Sequence, residues 1–239
     1  MNILTELTNF LLDLIFPKNC FFCSKFGSYI CKDCEQKRFL HFKKRKCHVC
    51  HGELRSSTQF IHNICRKNTH LDGVFTSYIL NNDLKKLIYA IKYKFESEVL
   101  VDLGPFYKLT IGNIPIKYDL ISFVPLDKYR RNWRDFNQAE IIAKKISWKA
   151  LPILTKTKKT IQQAKLNKKE RHKNLSGSIK VISPNLVKGK TILLCDDVYT
   201  TGSTLELCAS ILKSAGAKRV YAFTLAIDEL PADIPSQIE

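Results

Sequence analysis

Two rhythms of apolar and polar positions divide the chain. From Val74 to Leu80 the spacing is that of a strand, and from Asp83 to Lys92 it changes to a helical one that turns Leu84, Leu87, Ile88 and Ile91 to one side. Asp119 to Pro125 reads as a second strand and Asn137 to Lys149 as a second helix. Thr191 to Cys195 is an uninterrupted apolar run, the mark of a strand buried on both faces of a parallel sheet. A helical stripe of Leu205, Cys208, Ala209, Leu212 and Ala215 follows, with Gly216 placed for a left-handed C-terminal residue, and Arg219 to Ala226 returns as a strand. Alternation of this kind predicts an α/β domain built on a parallel sheet flanked by helices.

The ends differ. Met1 to Phe16 is apolar but interrupted by Glu6 and Asp13, and no basic residue precedes it. It is too short to span a bilayer and unlike a signal peptide, so the expectation is an amphipathic helix packed on the body, with peripheral membrane contact as the other use. No later run is long enough for a transmembrane segment. Beyond Glu229, Pro231 and Pro235 predict a loose tail. The expected organisation is an N-terminal helix and cysteine module over 1–70, an α/β domain over 71–229 and a tail over 230–239.

Charge adds a partner class. The 239 residues hold 39 Lys and Arg against 22 Asp and Glu, a formal net charge of +17 that draws polyanions, with nucleic acid first among them. Lysine enrichment of an AT-rich genome would raise the charge without a polyanion partner. The basic residues concentrate in Lys128 to Arg134 and again in Lys156 to Lys173, where Glu170 is the single acid. Arg130, Arg131, Arg134, Lys165, Lys168, Lys169 and Arg171 are the candidate nucleic-acid contacts. Six phosphate contacts would give single-strand binding a log–log salt slope of about −4. Tyr129, Trp133 and Phe136 interleave with the arginines and either stack on bases or, at helical spacing, belong to the core.

Nine cysteines without a secretion signal point to the cytoplasm, as reduced thiols or metal thiolates. Cys20 and Cys23, Cys31 and Cys34, and Cys47 and Cys50 are three CxxC pairs, and His62 with Cys65 repeats the spacing with one imidazole. Two intervening residues let a tight turn point both side chains at one ion, and tetrahedral zinc needs two such pairs. The expectation is one or two structural zinc ions, with Cys20, Cys23, Cys31 and Cys34 on one and Cys47, Cys50, His62 and Cys65 on the other; an interleaved pairing has equal spacing support. His48, His51 and His70 are read as solvated loop histidines, and Cys195 and Cys208, inside apolar patterns, as buried structural thiols.

The chemistry concentrates after Cys195. Asp196 and Asp197 stand at the carboxyl end of the expected strand, where open α/β sheets bind ligands. Thr200, Thr201, Gly202, Ser203 and Thr204 then offer hydroxyls, a permissive glycine and helix-start N–H groups, the makings of a phosphate cradle. Lys92 and Lys94, at the end of the earlier helix, either touch a phosphate or simply suit a helix C-terminus. No Walker loop, GxGxxG turn or HExxH motif occurs, which leaves nucleotide hydrolysis, nicotinamide chemistry and metalloprotease activity without support.

The DDVYTTGST segment resembles the phosphoribosyl-pyrophosphate motif of type I phosphoribosyltransferases. That likeness implies an acidic pair on the ribose hydroxyls and a loop on the 5′-phosphate, with magnesium. ISFVPLDKYRRNWRDFNQAEIIAKKI and QQAKLNKKERHKNLSGSIKV, together with the CxxC leader, extend the likeness over nearly the whole chain to the ComF family. The resemblance implies a zinc-binding N-terminus, a type I phosphoribosyltransferase fold, and a part in taking up single-stranded DNA during natural transformation, among DNA-uptake or recombination proteins. It places Arg131, Arg134, Asn137 and Gln138 beside the cleft, and Gln163, Arg171 and Asn174 on a cover. Asp135 stands where the family has glycine, and His62 where it has cysteine. Two functions follow as expectations: a competence factor binding single-stranded DNA and phosphoribosyl pyrophosphate, or a working phosphoribosyltransferase with an unidentified acceptor.

Overall fold

The computed structural model describes residues 17–42, 46–56, 59–93, 98–113, 116–126, 136–156 and 179–228. Seven strands are present among them: β1 (Leu40–His41), β2 (Gly73–Ile79), β3 (Leu120–Phe123), β4 (Leu154–Lys156), β5 (Ile179–Val181), β6 (Thr191–Tyr199) and β7 (Arg219–Ile227). The main sheet runs β1-β2-β7-β6-β3, and β4 pairs with β5 separately. β2, β7, β6 and β3 are mutually parallel, whereas β1 joins the β2 edge antiparallel. The helices are α1 (Lys32–Arg38), α2 (Asn82–Tyr93), α3 (Glu98–Asp102), α4 (Gly104–Gly112), α5 (Gln138–Ile146), α6 (Pro184–Val187) and α7 (Ser203–Ser214). None of the described helices is long and apolar enough to cross a membrane.

The sheet centre is dry. Ile192, Leu193, Leu194 and Cys195 on β6 face Val220, Ala222 and Phe223 on β7, all fully buried, and each large apolar side chain removed from water contributes roughly 1.5–3 kcal/mol. Burial also pushes the thiols of Cys195 and Cys208 far above their ordinary range, so both are inert packing residues. α2 buries Leu84, Leu87, Ile88, Ala90 and Ile91, while α7 buries Leu205, Leu207, Cys208, Ala209 and Leu212. Gly216, at φ +92°, closes α7 in the left-handed conformation. Helix α5 is shorter than its periodicity suggests and stops at Ile146, because Ser147 turns extended.

The end of β6 departs from the pattern of side chains. Apolar periodicity predicts a strand ending at Cys195, but the ladder continues through Tyr199, with Asp196 opposite Thr224 and Val198 opposite Ala226 on β7. Backbone partners from β7 carry the strand past the point where its side chains cease to be apolar. On the other side β3 ends at Phe123, opposite Cys195, and the N–H of Val124 makes the last bond, to the Cys195 carbonyl. Asp196 and Asp197 therefore occupy a stretch of strand that, among the described residues, has a ladder partner on the β7 side alone.

The cysteine-bearing segment docks on the β2 edge and the start of β7. The Tyr78 hydroxyl donates to buried Glu35 at 2.8 Å, and Phe39 packs edge-on against Tyr78 at 5.4 Å. Further along, Phe60 meets Phe75 at 5.2 Å and Tyr221 at 5.7 Å.

Candidate ligand site and metal centres

Each of the two β6 acids accepts the N–H of the residue that follows it: Asp196 from Asp197 at 2.9 Å, and Asp197 from Val198 at 2.8 Å. Lys92, from the last turn of α2, reaches Asp197 at 2.6 Å. Burial, then the Asp197 charge, raise the Asp196 carboxyl well above the usual range, and the Asp197 N–H and Lys92 only partly offset this. Lys92 thus neutralises Asp197, while Asp196 beside it is held closer to its protonated form.

The loop after β6 is shaped by a glycine. Gly202 adopts φ +68° and caps α7, whose first bond runs from the Glu206 N–H to the Gly202 carbonyl at 2.8 Å. A Cβ here would be driven into the Tyr199 phenol ring, so no other residue fits without displacing it. Thr200 and Thr201 are exposed, Ser203 and Thr204 half-buried, and the Thr201 and Ser203 hydroxyls lie 2.8 Å apart. The Ser203 N–H donates to the Thr201 hydroxyl at 3.4 Å, so hydroxyls and a helix start stand two to four residues after the strand that carries the acids, an order that suits a phosphate next to a polyol.

Three residues at this site carry no advance signal in the sequence. Tyr199 matters through its contact with Gly202, and Glu206 through hydrogen bonds from the Thr69 hydroxyl at 2.6 Å and from the His70 N–H at 2.5 Å and Nδ1 at 2.7 Å. The third is His48, which is buried and not a solvated loop histidine. Because the Thr69 hydroxyl donates to Glu206, His48 must donate to it through Nε2, at 3.1 Å. Burial lowers the His48 pKa to about 4, so the ring stays neutral. His70 is exposed as expected but bound to Glu206.

Asn137 ties β3 to α5: its Nδ2 donates to the Val124 carbonyl at 3.0 Å, and its Oδ1 accepts the Ala139 N–H at 3.1 Å. Gln138 is buried, and its Nε2 has no hydrogen-bond partner among the described residues. Phe136 packs half-buried against the core. Arg130, Arg131, Arg134, Lys165, Lys168, Lys169 and Arg171 lie outside the described residues, as do Tyr129, Trp133, Asp135, Gln163, Asn174, Lys94, the stretch 1–16 and the tail beyond Asp228.

Both cysteine clusters are built alike. In the first, the ligand atoms of Cys20, Cys23, Cys31 and Cys34 all lie within 4.8 Å of one another; in the second, those of Cys47, Cys50, His62 and Cys65 do. The fold brings together consecutive pairs, not interleaved ones. Each leading CxxC turn bonds the residue after its second cysteine back to the first, Ser24 N–H to the Cys20 carbonyl and His51 N–H to the Cys47 carbonyl, both at 2.8 Å. Ser24 and His51 are the two non-glycine residues at positive φ among the described residues, and bridges Asn19 to Phe26 and Lys46 to Glu53 close the two turns equivalently. A short helix then presents the second pair, α1 with Cys31 as its cap and a 3₁₀ turn at Asn63–Asn68 after His62. The repeat is structural and hidden in the sequence beyond its cysteines.

A tetrahedral zinc thiolate has sulfur atoms ~3.8 Å apart, and Cys23 and Cys31 stand at 3.7 Å. In the second cluster His62 presents Nδ1 at 3.2 Å from the Cys50 sulfur, while Nε2 contacts the Glu53 carbonyl at 3.1 Å. A carbonyl can only accept, so Nε2 carries the proton and Nδ1 offers its lone pair inward. Gly52 makes room for the ring, since a Cβ there would sit 3.3 Å from His62 Cε1. Burial raises the Cys20 thiol, but N–H groups of Cys31, Phe22 and Cys23 outweigh it and hold it at about 6; Cys47 is held at about 7 in the same way. Burial and the neighbouring sulfurs push Cys34 and Cys65 up to about 12. Each cluster thus pairs a thiol that ionises readily, Cys20 or Cys47, with one that a nearby cation would have to ionise, Cys34 or Cys65, which fits a structural metal.

Residues 138–233, which include β6, its acids, the loop and α7, match the family described as the phosphoribosyl transferase domain. With the mostly parallel sheet, that match gives the chain a type I phosphoribosyltransferase fold. The chain is 28% identical over 214 residues to "Competence protein ComFC" of Bacillus subtilis, covering 87% of this chain and 83% of that one. It is 28% identical over 211 residues to "Competence protein F" of Haemophilus influenzae, covering 82% and 90%. It belongs to the ComF family. Among solved structures, the glutamine phosphoribosylpyrophosphate amidotransferase of B. subtilis aligns at 16% identity and a TM-score of 0.38, over 54% of this chain and 26% of that chain.

Proposed function

We propose that this protein is a cytoplasmic DNA-handling factor of natural transformation that binds single-stranded DNA and holds phosphoribosyl pyrophosphate with magnesium. The observation that carries the ligand reading is the placement of Asp196 and Asp197 on β6 beyond the described end of β3, ahead of a loop whose left-handed Gly202 starts α7. In this reading Asp196 and Asp197 take the ribose hydroxyls, and Thr200, Thr201, Gly202, Ser203 and Thr204 surround the 5′-phosphate. Lys92 leaves Asp197 for the pyrophosphate when ligand enters. Gln138, a buried donor without a partner among the described residues, is a further contact. Zinc at Cys20, Cys23, Cys31 and Cys34, and at Cys47, Cys50, His62 and Cys65, fixes a segment with little core of its own.

The DNA half of the proposal is supported by the net charge of +17 and by relatives named competence proteins and, in Escherichia coli, "DNA utilization protein YhgH". Arg130, Arg131, Arg134, Lys165, Lys168, Lys169 and Arg171 are its proposed phosphate contacts. Calorimetry with phosphoribosyl pyrophosphate and magnesium tests the ligand half: heat from the wild type and none from Asp197→Asn is expected. Absence of heat from the wild type refutes it. Absence of single-stranded DNA binding at low salt refutes the DNA half. The raised Asp196 carboxyl favours a second reading, turnover, since perturbed acids gather at reacting centres. Pyrophosphate release with any nucleobase acceptor would establish it.

A further inference from the structure

Phe21 of the first cysteine turn and helix α2 border an open groove that neither the ligand site nor the cysteine clusters explain. Its volume is about 480 Å³, and Phe21, Lys85, Lys86, Tyr89 and Ala90 line it. Phe21 is the residue after the first cysteine, so the CxxC turn fixes its backbone. Its ring is 37% exposed and rests edge-on against Phe22 at 5.1 Å. Phe22 is held in turn by Phe39 at 5.8 Å and by the Arg38 guanidinium 4.9 Å above its face.

On the opposite wall, Lys85, Tyr89 and Tyr93 follow one another at four-residue spacing along the solvent side of α2. Tyr89 is 60% exposed, and its ring lies against that of Tyr93 with centroids 4.6 Å apart and planes 35° from parallel. The floor, Ala90, is small and buried, and the inner face of the same helix is locked into the core by Leu87, Ile88 and Ile91. The charged groups at the groove are Lys85, which lies 3.8 Å from Asp228, and Lys86, which makes no ion pair among the described residues.

We propose that this groove is a base-stacking platform for single-stranded nucleic acid, with Tyr89 and Phe21 taking the faces of unpaired bases and Lys85 and Lys86 following the backbone. The occupant follows from chemistry. Flat, rigidly backed aromatic faces suit any base because every base has a π face, and flanking lysines on a chain of net charge +17 complement a polyanion. An acyl chain or an amphipathic helix would find only a short apolar surface between two exposed lysines, too little to bury either. The groove uses none of the arginines and lysines of the two basic runs, and it lies on α2, whose last turn carries Lys92 to Asp197. The proposal rests on the reading of the protein as a binder of single-stranded DNA and assigns that binding a place.

The test is fluorescence anisotropy of a labelled oligothymidylate over a range of salt, with the full chain in its metal-loaded form. Tyr89→Ala is expected to weaken binding about fivefold or more with the salt slope unchanged, and Tyr89→Phe to bind as the wild type does. Lys85→Gln with Lys86→Gln is expected to make the slope shallower by about 1.4, from about 0.7 for each phosphate that is no longer neutralised. Melting temperatures check that these exposed substitutions leave the fold intact. Undiminished binding by Tyr89→Ala and by the double lysine variant would overturn the platform while leaving DNA binding in place. A wild type that binds no oligonucleotide at low salt would overturn both. Binding of phosphatidylglycerol vesicles that depends on Tyr89, with oligonucleotide binding indifferent to it, would assign the groove to a membrane surface and likewise overturn the proposal.

Discussion

Gly202→Ala puts the loop geometry to its sharpest test. At φ +68° an alanine bears backbone strain of about 1 kcal/mol. The added methyl also meets the phenol ring of Tyr199, which is itself 7% exposed and cannot swing into solvent without opening the core. Overpacking of this kind costs about 1–3 kcal/mol, so the substitution should destabilise the protein by about 2–4 kcal/mol. For a domain of this size that is a fall of roughly 4–16 °C in melting temperature. In a Tyr199→Val background the steric share should vanish, leaving only the backbone share of about 1 kcal/mol. The cycle thus separates the two causes. Thermal melts of the four proteins read it directly, and calorimetry should show the single variant losing phosphoribosyl pyrophosphate because the cradle has moved. If Gly202→Ala melts with the wild type and keeps its ligand, the account of this loop is wrong.

The metal centres and the remaining polar groups yield further expectations. The wild type should contain two equivalents of zinc by elemental analysis, and Cys23→Ser and Cys50→Ser should each lose one, because each cluster draws on a separate set of four ligands; loss of both from one substitution would argue for a shared site. Gln138→Met should leave stability unchanged or raise it by about 1 kcal/mol, since it removes a buried donor without a partner among the described residues, yet weaken phosphoribosyl pyrophosphate binding. His48 has a folded pKa of about 4 against an ordinary 6.5, so below pH 6.5 the unfolded chain takes up a proton that the native ring refuses. Stability should therefore fall between pH 6.5 and 4 by about 3 kcal/mol on this account, and His48→Asn should flatten that share of the decline in urea titrations; an identical pH profile would sink it.

The features legible in the residues are those that local chemistry specifies. Leu84, Leu87, Ile88 and Ile91 face inward on α2 as their spacing requires, Gly216 ends α7, and Cys195 and Cys208 are buried. These depend only on periodicity and on the conformational range of single residues. The order of acids, hydroxyls and glycine after Cys195 was legible for the same reason, because the elements that carry them are consecutive in the chain.

Other features depend on partners far away in sequence. The continuation of β6 beyond Cys195 is decided by β7, and the end of its described pairing on the other side by β3, far earlier in the chain. Burial of His48 is decided by Thr69 and Glu206, so a histidine in a polar loop sequence became an uncharged structural donor. Spacing allowed two ways of sharing the cysteine pairs, and only the turn closures at Ser24 and His51, with the short helices that follow, select one. By itself the sequence determined which groups are available: eight side chains able to ligate a metal, two acids, a hydroxyl loop and an excess of positive charge. Which of them meet is a matter of tertiary structure, because hydrogen bonds and ring contacts act over a few ångströms of space, whatever the distance along the chain.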